Sequence, residues 1–211
     1  MEKDRYRIRV RFRKVDDLRF LGHRDLARVW ERLLRRANVP FKMSEGFHPK
    51  PRISFPLALG AGMEGLEEVV ELELSVAADV ATLGDQLRQA APPGLMIDAI
   101  LPLDMDAHKA RVLRVVYELP VPDHCQARLH TAVGQLMSET HHPIQRADRE
   151  QPLDLRETLE QLDLAEGFLR MQLRVRRTAS VRPREILAAL GMENLEQEGC
   201  WLRRTRVELE A

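Results

Sequence analysis

With 211 residues, 44% of them apolar, and 33 basic against 33 acidic side chains, the chain is long enough for one large domain or two small ones. It is apolar enough to bury a core, which excludes a disordered polyelectrolyte. No apolar run approaches the roughly 20 residues a membrane span needs, and the basic beginning lacks the apolar stretch of a signal peptide, so a soluble cytoplasmic protein with no membrane partner is expected.

The first predicted element is a strand over residues 5–13. RYRIRVRFR alternates with period two, turning Tyr6, Ile8, Val10 and Phe12 to a core and the odd arginines to the other face. Leu26, Val29, Trp30, Leu33, Leu34 and Ala37 then recur at helical spacing, which predicts a helix over 24–36 ended by Asn38 and Pro40. ISFPLALG, 53–60, alternates through Ile53, Phe55, Leu57 and Leu59, and Pro56 suits an edge strand because proline cannot donate to a ladder. LEEVVELELS, 66–75, is the return strand, 79–92 a helix with Asp79 near its start, and GLMIDAILP, 94–102, a closing strand. The order is βαββαβ, the ferredoxin-like split arrangement.

The second half repeats that order without a residue-level repeat. A strand is expected over 111–121, a helix over 123–140, and a short strand near Ile144 to Arg146. DLRETLEQLDLAEG, 154–167, is read as an irregular connection or an extra helix. A strand over 168–176 faces inward through Phe168, Met171, Leu173 and Val175, with one slip in its alternation. RPREILAALG is a short helix with Pro183 in its first turn and Gly191 at its C-cap, and CWLRRTRVEL the final strand. The expected architecture is α+β, two tandem ferredoxin-like halves with antiparallel sheets, spanning 1–103 and 108–211 and joined through LPLDMDAHKA, 101–110.

The zero net charge hides a segregation. Residues 1–52 hold 16 basic and 7 acidic side chains, residues 53–108 hold 1 and 10, and residues 109–211 hold 16 of each. A basic segment followed by an equally acidic one dimerises, folds onto its neighbour or displays two electrostatic faces. In a ferredoxin-like sheet the first and third strands are antiparallel neighbours, so Glu67, Glu71 and Glu73 stand ready as cross-strand partners for the arginines. Arg7, Arg9 and Arg11 are therefore read both as members of an ion-pair ladder and as a cationic face for nucleic acid. Arg24, Arg28 and Arg32 follow an i, i+4, i+8 row able to track phosphates, or simply a solvated helix face.

KMSEGFHPKPRISF, 42–55, is the most informative segment. Pro49 and Pro51 stiffen it, Gly46 allows an unusual backbone turn, and Phe47, His48, Lys50 and Arg52 join an aromatic, an imidazole and two cations. Stacking surfaces interleaved with cations are what single-stranded nucleic acid needs. The alternative is a structural loop with Phe47 in the core. The candidate RNA-binding set is thus Arg7, Arg9, Arg11, Arg28, Arg32, Phe47, His48, Lys50 and Arg52.

His23 and His48 are the candidates for acid–base chemistry, although the sequence fixes no second catalytic group beside His23, where capping or polar packing also fits. His124, Cys125, His130, His141 and His142 show no metal-ligand spacing, so neither a metal nor a cofactor is expected. Cys125 and Cys200 form no C-x-x-C pair, which argues against a disulfide framework or an iron–sulfur site and leaves buried free thiols as the expectation.

The entry R-F-x-K…L-R-F-L, the H-x-D-L turn, P-F-x-x-S-E-G-F-H-P-x-P-x-I-S-F and the following L-x-L-G together resemble the bacterial radical-SAM-linked family, a domain of unknown function. SVRPREILAAL and RRTRVEL extend the resemblance over nearly the whole chain, which departs from it at Gly22 and Arg24. The resemblance implies an accessory partner of a B12-binding-type radical SAM protein, in RNA- or ribosome-related modification. The chain has no C-x-x-x-C-x-x-C motif with which to be the radical SAM catalyst itself.

Three readings follow. The first is a non-catalytic RNA-binding or substrate-presenting partner, with tRNA or ribosomal RNA as ligand. The second is a module that docks to the radical SAM enzyme without RNA. The third is a metal-independent endoribonuclease, on the analogy of CRISPR repeat-processing nucleases with tandem ferredoxin-like domains.

Overall fold

The computed structural model describes residues 6–104, 106–177 and 179–210, in two compact units, Met1–Arg111 and Val112–Ala211. Arg5, expected at the start of the first strand, lies outside the described residues. Both units are α+β with antiparallel strand pairing; the first runs βαββαβ and the second runs the same order with two short extra strands after its first helix, which is compatible with two ferredoxin-like halves. Among the described residues no helix is long and apolar enough to cross a membrane.

In the first unit, β1 (Tyr6–Lys14) lies between β4 (Leu95–Leu103) and β3 (Glu64–Leu74), and β2 (Ile53–Ser54) pairs with the far side of β3. The period-two pattern holds: Ile8, Val10 and Phe12 are buried beneath α1 (His23–Arg36) and α2 (Val80–Ala90). Trp30, fully buried on α1, meets Phe12 edge-on with centroids 5.0 Å apart, a favourable ring geometry at the centre of this core. Asn38 takes the left-handed conformation at φ 52° just after the helix, and the Asp79 side chain caps α2 by accepting from the Thr82 N–H at 2.8 Å. Hydrogen bonds from the Thr82 hydroxyl, at 2.7 Å, and from the Thr82 N–H hold the Asp79 carboxyl below its usual range.

The strand expected over ISFPLALG is cut to two residues. Only Ile53 and Ser54 pair with Leu72 and Glu71. Pro56 has no N–H to extend the ladder, and side chains help to anchor the segment. Phe55 packs edge-on against Phe12 at 6.4 Å and His23 at 5.2 Å, and Leu59 is buried.

In the second unit the sheet order is β10 (Arg203–Leu209), β5 (Val112–Pro120), β9 (Phe168–Arg174), β8 (Leu159–Ala165), with α3 (Asp123–Ser138) and α4 (Pro183–Ala189) as its helices. β6 (Pro143–Ile144) and β7 (Leu153–Asp154) form a separate two-residue ladder. Two expectations are corrected. Residues 154–167 are neither irregular nor an extra helix: a single 3-10 turn over Leu155–Glu157 leads into β8, which pairs with β9. β9 itself has no slip, because Leu169, Met171 and Leu173 form its buried row and Phe168 is only half-buried beside the turn.

Two carboxylates tie this unit together. Glu160 accepts from Arg114, Arg174 and Gln172 at 2.6, 2.7 and 3.1 Å. Burial alone would raise its pKa, and the hydrogen bonds from Gln172, Arg174 and Arg114 bring it below the usual carboxylate range. Glu185 likewise would be raised by burial, but is lowered by Arg146, which grips both its oxygens, and by the Arg182 N–H at the start of α4.

A candidate nucleic-acid interface

The odd face of β1 carries the arginine row, and the register sets its partners. Arg7 lies opposite Glu73, Arg9 opposite Glu71 and Arg11 opposite Val69. Side chains lean along the strand, so the pairs form partly on the diagonal: Arg7 and Arg9 both reach Glu71 at 2.9 Å, and Arg11 reaches Glu67 at 2.7 Å. Arg13 turns to the other neighbour and pairs with Asp98 of β4 at 2.9 Å. The segment after β4 comes back over this face, where the Ala107 carbonyl accepts from Arg7 and the Ala110 N–H donates to Glu71 at 3.1 Å. Glu71 is left 4% exposed and Arg7 9%. Arg7, Arg9 and Arg11 are thus placed in an ion-pair ladder, two of them sharing one buried carboxylate.

Beside this ladder lies a cleft of about 260 Å³ lined by Arg7, Arg52, Glu71, Glu73 and Lys109, among others. Within it Arg7 answers Glu71 and Arg52 answers Glu73. Arg52, one of the candidate RNA contacts, donates to Glu73 at 3.1 Å, because its own backbone is zipped to that strand through the Glu73 N–H.

The loop is a projecting hairpin. Its root is fixed to β3 by a Phe41–Leu74 bridge and by the Lys42 N–H donating to the Glu73 carbonyl at 2.7 Å. Above the root, the Arg52 N–H donates to the Lys42 carbonyl, Met43 bridges Pro51, and Ser44 and Lys50 close the tip through two hydrogen bonds of 2.7 and 3.0 Å. Gly46, at φ 121°, supplies a conformation that a side chain would strain. The tip carries Phe47 at 102% relative exposure, with His48, Pro49 and Lys50 exposed beside it. The reading of Phe47 as a core residue therefore fails. The Arg35 guanidinium, 5.6 Å from the Phe41 ring, links the end of α1 to the root.

On α1, Arg28 pairs with Asp25 at 2.9 Å while remaining 68% exposed, and Arg24 and Arg32 are exposed. His23 is half-buried, its ring against Phe55 and its Nδ1 buried without a hydrogen-bond partner among the described residues. It faces an aromatic ring, whereas His48 stands on the solvated tip, so the two imidazoles sit in different surroundings.

Two features lay outside the reach of sequence patterns. Lys14 ends the buried row of β1 and is itself fully buried, its Nζ donating to the carbonyls of Leu21, Arg19 and Gly60 at 2.9, 3.3 and 3.5 Å. It fastens the turn that leads to His23. The second unit brings Glu198 to His124 and Cys125, three groups able to share a metal ion. Both cysteines are free. Cys125 is half-buried rather than buried, while Cys200 is buried and its thiol pKa is raised by that burial.

A family described as an uncharacterized protein conserved in bacteria (DUF2344) matches residues 7–183. No curated protein matches the chain. Among solved structures, an unknown protein from Galdieria sulphuraria is similar over 98% of this chain and 99% of that one, at 12% identity and a TM-score of 0.30.

Proposed function

The chain belongs to this uncharacterized family conserved in bacteria (DUF2344), and we propose that it binds single-stranded RNA through the 44–50 tip. In this reading it is a non-catalytic partner that presents RNA to a radical SAM enzyme of the B12-binding type, the partner that its resemblance to the radical-SAM-linked family implies. The observation that carries the RNA reading is the full exposure of Phe47 on a hairpin tip stiffened by two prolines and closed by backbone hydrogen bonds. A solitary exposed aromatic is ordinary on a protein surface. One held out rigidly beside an exposed imidazole and an exposed ammonium offers a ready stacking platform with cations for the flanking phosphates, and the ordering cost has been met in folding.

The test is fluorescence anisotropy of an unstructured single-stranded RNA oligomer with the full chain, at low and at raised salt. Binding is expected at low salt and weakens as salt rises. Phe47→Ala should weaken it by about 5- to 160-fold, since stacking of one base is worth roughly 1–3 kcal/mol. Its far-UV spectrum and melting temperature should not change, because Phe47 buries nothing in the fold. Absence of binding, or equal binding by the variant, overturns the proposal. Co-purification with a radical SAM protein that survives nuclease and is lost in Phe47→Ala would then place Phe47 in a protein contact instead.

A further inference from the structure

We propose that His124, Cys125 and Glu198 form a binding site for a borderline-soft divalent cation, zinc above all. His124 and Cys125 are neighbours in the first turn of α3. Glu198 arrives from 73 residues further on, in the turn-rich segment before β10. Its backbone is fixed there by hydrogen bonds from the Glu198 N–H to the Asn194 and Leu195 carbonyls and by Gly199 at φ 87°. One ligand atom of each residue lies within 4.8 Å of the other two, and His124 Nε2 is 3.7 Å from Glu198 Oε2.

Those distances are near what tetrahedral zinc requires. Bonds of about 2.0–2.3 Å to nitrogen, oxygen and sulfur place neighbouring ligands roughly 3.3–3.6 Å apart, so closure asks for adjustments on the order of an ångström. His124 and Glu198 are exposed and free to make them, while the half-buried Cys125 provides the fixed point. The donor set selects the metal class. One imidazole nitrogen, one thiolate and one carboxylate oxygen suit zinc or cobalt, whereas magnesium and calcium want oxygen throughout. A thiolate and a carboxylate also cancel the two positive charges, so the loaded site is neutral. Binding releases the Cys125 thiol proton to solvent, and three protein ligands leave a fourth position for water. An exposed His–Glu ion pair would account for the 3.7 Å contact alone, but it gives no reason for the sulfur to converge on the same point.

The experiment is titration of the metal-free full chain with Zn²⁺ by calorimetry and with Co²⁺ by absorbance. Saturation at one equivalent and a thiolate-to-cobalt charge-transfer band are expected. Cys125→Ser should abolish the band, and Cys125→Ser and Glu198→Gln should each weaken zinc binding at least tenfold with the melting temperature of the metal-free protein unchanged. A His141→Gln, His142→Gln double variant should bind as the parent does. No cobalt–thiolate band, or zinc binding that survives Cys125→Ser and is lost in the double variant, overturns the site.

Discussion

Two guanidiniums and a backbone N–H converge on the carboxylate of Glu71, which is 4% exposed. A buried charge of this kind is held by what surrounds it, and removing it leaves its partners more costly than their absence would be. Glu71→Gln keeps the volume and withdraws the charge from beneath Arg7 and Arg9. We expect a loss of about 2–4 kcal/mol in urea unfolding, between the cost of an unmet buried hydrogen bond and that of a broken buried ion pair. The same variant separates two roles of the arginine row. If Arg7 and Arg9 only answer Glu71, RNA affinity at low salt stays within a factor of about two, and a gain of tenfold or more would mean the freed guanidiniums can reach phosphate. At this scale the sequence told half the story. Alternation identified the partners of Arg9 and Arg11 because strand phase is strict, but it hid Lys14. A lysine closing a row of Ile8, Val10 and Phe12 looks like the solvated end of a strand, and the converging carbonyls of Arg19, Leu21 and Gly60 help to make its burial tolerable.

The β8–β9 hairpin shows what element-level patterns can disguise. Its two turn residues, Glu166 at φ 53° and Gly167 at φ 78°, are both left-handed, as a two-residue type I′ turn requires. A side chain at 167 would meet nothing nearer than 3.9 Å, so space is not the constraint and backbone conformation is. Gly167→Ala should therefore cost about 1–2 kcal/mol, the left-handed penalty of an L-residue, measured as a lowered urea midpoint with an unchanged m-value. Steric repair elsewhere would not recover it. The hairpin was missed for a physical reason. A register shift between Leu159 and Gln161 inserts a residue into β8, so Leu159 and Leu162 both face inward at a spacing of three. With Leu155 also buried, the leucines mimic a helical repeat. Glu-Gly also lacks the Asn-Gly signature that marks such a turn most strongly. The N-terminal helix, the Asp79 cap and the Pro183 start carried no such ambiguity, and each lies where its local chemistry put it.

Across the first unit, the basic and acidic segments resolve by folding onto each other. Arg7, Arg9, Arg11 and Arg52 take their carboxylates from β3, and Arg13 takes its own from β4. A surplus that looked like a nucleic-acid surface in sequence is partly spent inside one sheet, Arg52 included, and the loop's tip was legible as a candidate site because Phe47, His48 and Lys50 remain exposed while the strand arginines fold onto carboxylates. This sets a number on the proposed RNA contact. Were the strand and helix arginines all on phosphate, six or more contacts would give a slope of log affinity against log salt near −4 or steeper, at about −0.7 per contact for single strands. With Lys50 and one or two exposed helix arginines engaged, the slope should be about −1.5 to −2. Lys50→Ala should make it shallower by roughly 0.7, while Arg9→Gln leaves it unchanged and shows its effect in unfolding. A slope near −4 that falls in Arg9→Gln would mean the ladder opens when RNA binds, and that the tip is only the edge of a wider interface.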